Sequence, residues 1–401
     1  PGRRLSRGVR PLHSKGRPFF GHRAQQRPVR PGRRALCRLT HLRQSRRRSQ
    51  ALGTEGHDTK DLMKTDQPLI IITGAAGFIG SALAWRLNNM GRTRLLLIDH
   101  LGATTQKWKN LVPLRYDDYM EKSNFLEAIS AGEFNDVEIE AVFHLGACSS
   151  TLEADASYLS INNYEYSKRI AAWCLNRANP IRFIYASSAA TYGDGTAGYV
   201  DDHECIPELR PMNMYGYSKQ MFDLWSLSHL RSDQVVGLKF FNVFGPNEYH
   251  KGPMKSMVAK AYEQMTTTGK VQLYKSNHPD YRNGEQKRDF VYVKDAVDMA
   301  LFFMDPTRGG GIFNVGTGSA RTWLDLIGAL FRSLGREPCI EFVDMPEGLR
   351  QNYQNHTEAD MVKIRRAGFD GYIRTLEESV ADYVPYLVAG QQPLGWSADR
   401  Q

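Results

Sequence analysis

The chain has 401 residues, 41% hydrophobic and 24% charged, which is the balance of a folded protein with room for one large domain or two moderate ones. Its longest pure apolar runs, such as Leu69 to Ile72 and Leu95 to Ile98, fall far short of the roughly 18 residues a membrane span needs. The net charge of +9 is uneven: residues 1–60 hold 17 Lys+Arg against 2 Asp+Glu, and the remainder holds 35 against 41, so the main body has no electrostatic claim on nucleic acid.

The five cysteines are widely spaced and form no CxxC pair. That excludes a disulfide framework and a structural zinc site, and it fits a reducing, cytoplasmic compartment. The eleven histidines show no HxxxH pattern, so no metal is expected.

Residues 1–60 are rich in Arg, Pro, Gly and Ser and have no hydrophobic period. A basic tail, an organellar leader and a stretch that is not natural coding sequence all fit. The first methionine is Met63, followed by a short polar lead into a strand. We therefore expect residues 1–62 to be a disordered, dispensable segment that is not native.

From Pro68 onward, short apolar runs alternate with helical periods. Strands are expected at Leu69–Thr73, Leu95–Asp99, Ala141–Leu145, Phe183–Ser187 and Val235–Phe241. Helices are expected near Phe78–Met90, Asn124–Ala131, Tyr158–Arg177 and Tyr215–Leu230. This alternation predicts an α/β fold with a doubly wound parallel sheet of the Rossmann kind. After Asn242 the regularity weakens, with strands at Asp289–Val293 and Ile312–Val315. Helices follow near Ala296–Met304, Trp323–Ser333 and Leu376–Leu387. We expect residues 63–241 to form the dinucleotide-binding domain, with returns near 288–318. Residues 242–287 and 319–390 would form a smaller mixed α/β substrate domain.

Gly74, Gly77 and Gly80 follow the first strand and open a helix. Glycines here allow a tight turn and close approach of a pyrophosphate to the helix N-terminus. Asp99 ends the next strand, where it could hold a ribose 2′-hydroxyl and favour NAD. Lys107 and Lys122 lie downstream and could instead meet the 2′-phosphate of NADP. His100 is ambiguous.

Tyr215 and Lys219 stand four apart, on one face of a helix. A nearby ammonium lowers the pKa of a phenol and makes it a usable base. Ser188 sits at the polar mouth of a strand, placed to bond a substrate hydroxyl. Lys251, beside a glycine on a loop at the expected cleft, is a second acid/base candidate, although a solvated loop lysine fits equally. Cys148 reads as a small residue lining the cofactor rather than a nucleophile, and His144 as structural.

In this order, the glycine loop, Asp99, Ser187-Ser188, Tyr215 to Lys219 and Arg288–Val293 resemble the extended short-chain dehydrogenase/reductases. The likeness spans about residues 68–390. A narrower likeness rests on His144–Thr151, Asn162–Tyr164, Tyr185–Tyr192, Phe241–Pro246 and His250–Gly252. These resemble the ADP-L-glycero-D-manno-heptose 6-epimerase family, which serves lipopolysaccharide-core precursor synthesis.

That resemblance implies bound NADP, with NAD as the alternative. It places the cofactor near Phe78, Ile79, Asp99, His100, Lys107, Lys122, Leu145, Gly146, Ala147, Cys148, Ser149, Asn162, Lys219, Val243 and Lys251. It implies substrate contacts at Ser188, Asn242, Lys260, Tyr274, Lys275, Ser276, Asn277, Arg288 and Tyr353. It further implies oxidation and reduction at C6 of an ADP-heptose, and a homo-oligomer with neither nucleic acid nor membrane as partner. The chain departs from the pattern at Leu145 (where Glu is expected), at Pro253 (where Ser is expected), and in an insertion at about Pro279–Glu285. Other readings are another nucleotide-sugar epimerase, a 4,6-dehydratase or a non-catalytic dinucleotide-binding sensor. Ser188-Ala189-Ala190 lacks the acid pair a dehydratase wants.

Overall fold

The computed structural model describes residues 67–396, except 104, 231–232 and 351–352. The segment 1–62 lies outside the described residues. Six strands come first: β1 (Leu69–Thr73), β2 (Leu95–Asp99), β3 (Asp118–Glu121), β4 (Ile139–His144), β5 (Arg182–Ser188) and β6 (Val235–Phe240). Then follow β7 (Asn242–Phe244), β8 (Val271–Tyr274), β9 (Lys287–Tyr292), β10 (Gly311–Val315), β11 (Ala320–Thr322) and β12 (Ile340–Val343). The eight longer helices are α1 (Phe78–Asn89), α2 (Lys122–Ser130), α3 (Tyr166–Leu175), α4 (Met214–His229), α5 (Met257–Thr268), α6 (Val293–Phe302), α7 (Trp323–Ser333) and α8 (Leu376–Val388).

Seven strands form one parallel sheet in the order β10-β6-β5-β4-β1-β2-β3. The strand order reverses between β1 and β4, and a crevice opens there at the carboxyl ends. Both faces are covered, so β1 and β2 read as unbroken apolar runs. Alternate residues serve opposite sides. Ile70 and Ile72 pack into one cluster with Leu95 and Leu97, while Leu69 and Ile71 pack into the other with Leu96 and Ile98.

Two small sheets lie beyond: β11-β9-β7, and the parallel pair β12-β8. Of the stretch 288–318, β10 rejoins the large sheet, whereas β9 pairs with β7 and β11. The expected strand Val235–Phe241 stops at Phe240, and Asn242–Phe244 leaves it for the small sheet. The expected continuous helix Tyr158–Arg177 is interrupted: Ala156–Leu159 leads into a π-helical turn, Ser160–Glu165, before α3. Such a bulge re-aims side chains and is frequent at functional sites. Here it turns Asn163 inward to clamp the loop at Cys148 from both sides, with its amide oxygen 2.9 Å from Cys148 N and its amide nitrogen 2.9 Å from Cys148 O.

Asp223 of α4 and Lys239 of β6 form an ion pair at 2.7 Å, both side chains fully buried. Asp223 also accepts from Tyr185 Oη at 2.9 Å and Ser187 Oγ at 2.7 Å. Lys239 donates to Thr191 Oγ1 at 2.6 Å. Removing one member strands the other charge. Lys239→Met is expected to cost about 3–5 kcal/mol, read from chemical denaturation, and Asp223→Leu in the same chain should restore part of it.

Candidate functional site

A cavity of about 920 Å³ sits at the carboxyl ends of the parallel strands. The turn after β1 forms one wall. Gly74 has φ +69°, and a Cβ there would come within 2.6 Å of Gly146 N. A Cβ at Gly80 would lie 2.2 Å from Gly74 O. Only glycine lets this turn, the Gly146 loop and α1 close up together. The first turn of α1 carries no acidic residue, and Gly77, Phe78, Ile79 and Gly80 face the cavity. Its free N–H groups and dipole therefore point at an anion site. A pyrophosphate cradle needs this arrangement, so the residues present fit a dinucleotide.

Asp99 closes the far side of that cradle. Oδ2 accepts from Ala76 N at 2.8 Å, and Oδ1 accepts from His100 N at 2.6 Å and Lys107 Nζ at 2.7 Å. Lys107 thus lies in the wall beside Asp99. Lys122 instead donates to Asn162 Oδ1 at 2.6 Å. Behind the cradle, His144 joins Thr73 Oγ1 at 2.7 Å to Ser167 Oγ at 2.8 Å. Burial pushes this imidazole down to about 3, so it stays neutral and structural.

Asn213 caps α4 by accepting from Gly216 N at 2.9 Å, which sets the angle at which Tyr215 and Lys219 enter the cavity. Lys219 Nζ donates to Ala186 O at 2.7 Å. Burial pulls this lysine down to about 8, against the opposing pull of Asp223. Burial raises the Tyr215 phenol, and a hydrogen bond with Ser188 opposes that rise. The Lys219 ammonium is thus bonded to a backbone carbonyl, and the Ser188 hydrogen bond is a contact that favours the phenolate.

The segment Gly245–Ser256 adds His250, Lys251, Met254, Lys255 and Ser256 to the wall. Asn110 Nδ2 ties it to the glycine turn, donating to Ala76 O at 3.1 Å and Asn247 O at 3.0 Å. Asn247 holds φ +80° and donates to Ser81 Oγ at 2.9 Å. Lys251 lines the cavity with Nζ 5.2 Å from the centre of the Phe78 ring. Burial lowers its pKa, and Glu248 opposes.

The cavity wall includes Gly74, Gly77, Phe78, Ile79, Gly80, Asp99, His100, Lys107, Leu145, Gly146, Ala147, Ser149, Ser188, Tyr215, Lys219, Asn242, Val243, Lys251, Lys260, Tyr274 and Tyr353. Outside it lie Lys122, Cys148, Asn162, Lys275, Ser276, Asn277 and Arg288. Lys275 pairs with Asp344 at 3.1 Å, Ser276 N donates to Asn283 Oδ1 at 2.8 Å, and Asn277 Nδ2 donates to Arg350 O at 3.0 Å. Arg288 is buried behind Tyr353 and Trp323, 5.0 and 5.6 Å from their ring centres.

Sequence reasoning missed Glu248, Lys255 and Trp323, and it marked His250 only as part of the His250–Gly252 motif. Glu248 lies between the motifs Phe241–Pro246 and His250–Gly252 and belongs to neither. Lys255 and Trp323, which share the wall, sit on segments whose position only the tertiary fold reveals. The wall holds five lysines and, of carboxylates, Asp99 among the described residues. No helix among the described residues is long and apolar enough to cross a membrane.

A doubly wound sheet with an anion cradle at its switch point and a Tyr/Lys helix beside it defines a dinucleotide-binding enzyme scaffold. The profile of the NAD dependent epimerase/dehydratase family matches residues 70–316, and the chain belongs to that family. Nicotinamide dinucleotide is therefore its class of cofactor. The chain is 49% identical over 325 residues to the ADP-L-glycero-D-manno-heptose-6-epimerase of Nitratidesulfovibrio vulgaris strain DP4, covering 81% of this chain and 99% of that one. The like-named protein of Fusobacterium nucleatum is 45% identical over 330 residues, covering 80% and 98%. The crystal structure of the Helicobacter pylori ADP-L-glycero-D-manno-heptose-6-epimerase superposes with a TM-score of 0.68 at 26% identity, covering 84% of this chain and all of that one.

Proposed function

We propose that this chain interconverts the two C6 epimers of ADP-glycero-D-manno-heptose, a step supplying lipopolysaccharide-core precursors, with NADP as its cofactor. The observation that carries the reading is that two proton-active groups line one cavity. Tyr215 comes from α4 and Lys251 from the segment after β7, with Ser188 between sheet and cavity. The relatives at 45–49% identity carry the activity's name.

The bound dinucleotide supplies hydride removal at C6 and its return. The protein supplies the rest. Tyr215 takes the C6 hydroxyl proton, and Ser188 bonds the same oxygen and steadies the phenolate. Lys219 keeps its charge beneath Ala186. Lys251 returns or takes the proton on the other face. Asn242, Lys260, Tyr274 and Tyr353 hold the nucleotide sugar, with Arg288 bracing Tyr353 from behind. Five wall lysines attract a doubly charged diphosphate, and the small sheets with α5 and α7 form the substrate side. A dehydratase needs an acid near C4–C6, and the wall's carboxylate, Asp99, belongs to the glycine cradle. The test is turnover: purified protein should convert one ADP-heptose epimer to the other. Cofactor binding without product would instead mark a sensor.

The cofactor preference follows from Lys107. A 2′-phosphate beside it makes a charge-assisted contact, whereas Asp99 is the group a 2′-hydroxyl would meet. NADP is expected to bind about tenfold or more tighter than NAD at low salt, the gap shrinking as salt rises. Lys107→Ala should erase most of the gap. Calorimetry on cofactor-stripped protein measures both, and equal affinities would assign the choice to Asp99.

A further inference from the structure

β10 is the last strand of the large sheet, and its outer edge pairs with no strand among the described residues. The N–H groups on such an edge must find acceptors elsewhere. Two side chains supply them. Ile312 N donates to His203 Nε2 at 3.0 Å, and Asn314 N donates to Asp201 Oδ2 at 2.7 Å. Asp201 and His203 stand two apart, as do the strand residues they serve, in the opposite chain direction. The segment thus lies along β10 as a ladder of side chains. The imidazole sits hard against the strand: a Cβ at Gly311, where φ is +123°, would come within 2.8 Å of His203 Cε1 and Nε2. Asn314 Nδ2 donates to Tyr199 O at 2.8 Å, and Lys363 Nζ donates to Asp201 O at 2.7 Å. What is held here is the connection between Ser188, at the end of β5, and Tyr215, at the start of α4.

We infer that His203 is a proton-sensitive latch: its neutral imidazole holds the segment between Ser188 and Tyr215 to the sheet edge, and protonation releases it. Hydrogen-bond roles decide this. A backbone N–H can only donate, so the nitrogen facing Ile312 N must carry a lone pair, and the ring proton sits on Nδ1. An imidazolium has N–H at both nitrogens and no acceptor left for Ile312. Asp201 behaves differently. A protonated carboxyl keeps an acceptor oxygen, so Asn314 N retains its partner in acid. The latch therefore opens at one rung and holds at the other. The charges around it set the direction. Burial and Lys363, from the short helix Val362–Arg366, lower the His203 pKa below its ordinary 6.5, while Asp202 on its own segment and Asp223 on α4 oppose. An imidazole lowered in this way stabilises the fold above pH 6.5, and the contribution is lost as pH falls through the folded value. Burial, with Asp360 adding, lifts Asp201 to about 6, against Asn314 N and Lys363. That contribution has the opposite sign, present in acid and lost as pH rises through about 6, so Asp201 does not cause an opening in acid.

Hydrogen–deuterium exchange of the full chain, resolved to single amides and corrected for the intrinsic effect of pH, reads each rung. From about pH 7.5 to about pH 4.5, protection of the Ile312 amide is expected to fall about tenfold while that of Asn314 holds. Exchange across residues 200–205 should rise with it. His203→Gln offers an acceptor that does not titrate, so its Ile312 amide should stay protected across the range. His203→Leu offers none and should be about tenfold less protected at Ile312 already at neutral pH. That arm tests the hold even if His203→Gln does not fold. Wild-type protection at Ile312 in folded His203→Leu overturns the inference. So does a pH-independent Ile312 amide in the wild type, or an equal acid loss in His203→Gln. Joint loss of Ile312 and Asn314 overturns it too, since the release would then be general unfolding rather than one rung. None of these readings depends on which substrate the cavity takes.

Discussion

Tyr215→Phe is expected to cut epimerisation by about 10²–10⁴-fold while leaving the cofactor bound. The ring stays and only the hydroxyl goes, so the cavity keeps its shape. The phenol is also the group whose environment needs most correction before it can work. Burial raises its pKa, the hydrogen bond with Ser188 opposes the rise, and Lys219 donates to the Ala186 carbonyl. The sign of a second change follows. Ser188→Ala removes the bond that favours the phenolate, so the phenol pKa rises further. The rate should then fall on the acid side, with its acid limb displaced to higher pH. A Tyr215→Phe protein with bound dinucleotide and a near-normal rate would exclude the phenol from proton transfer. Rate profiles from pH 5 to 10 on both variants, with the dinucleotide released and quantified, give the result.

The parts legible in the sequence are those whose physics is local. β1 and β2 appear with their exact apolar runs because both of their faces are buried and nothing polar interrupts them. The glycine cradle is legible because a Cβ at Gly74 or Gly80 meets backbone, which leaves glycine as the residue at both positions. β3 was invisible: Asp118–Glu121 is an edge strand with its first residue exposed, and its pairing with β2 uses backbone groups that any sequence has. β8 and β12 find each other across about seventy residues, a distance no window spans. The helix α5 did leave a signal that went unread. Ser256 caps it, Gly269 ends it with φ +78°, and Val258, Ala259, Ala261 and Met265 bury one face. The least legible feature is Glu248. An isolated acidic residue in a Pro- and Gly-rich stretch reads as solvated loop, yet it is buried and accepts a hydrogen bond from Tyr383, 135 residues on.

Lys251→Met is the variant that decides how inversion is achieved, and it is expected to slow epimerisation by about 10²–10⁴-fold with full cofactor occupancy. Hydride must leave one face of C6 and return to the other, so the carbonyl must present both faces within one cavity. A single rigid base would have to follow the oxygen as it turns. The structure offers two proton-active groups on independently anchored supports instead: Tyr215 on α4, fixed by the Asn213 cap, and Lys251 on a segment pinned to the glycine turn through Asn110 and Asn247. Each would serve one orientation of the oxygen. Met keeps the length and apolar stem, so the packing over Phe78 survives the change. The competing account makes Lys251 an anchor for the cofactor alone. It predicts weaker dinucleotide binding and a rate restored at saturating cofactor. The two accounts part most sharply in single half-reactions. With two bases, Lys251→Met should still exchange hydride with the epimer that Tyr215 serves and fail with the other, whereas Tyr215→Phe should show the reverse preference. Deuterium placed at C6 of each epimer and followed into the dinucleotide reads this directly. Equal exchange from both epimers in Lys251→Met would leave Tyr215 to act alone or with water.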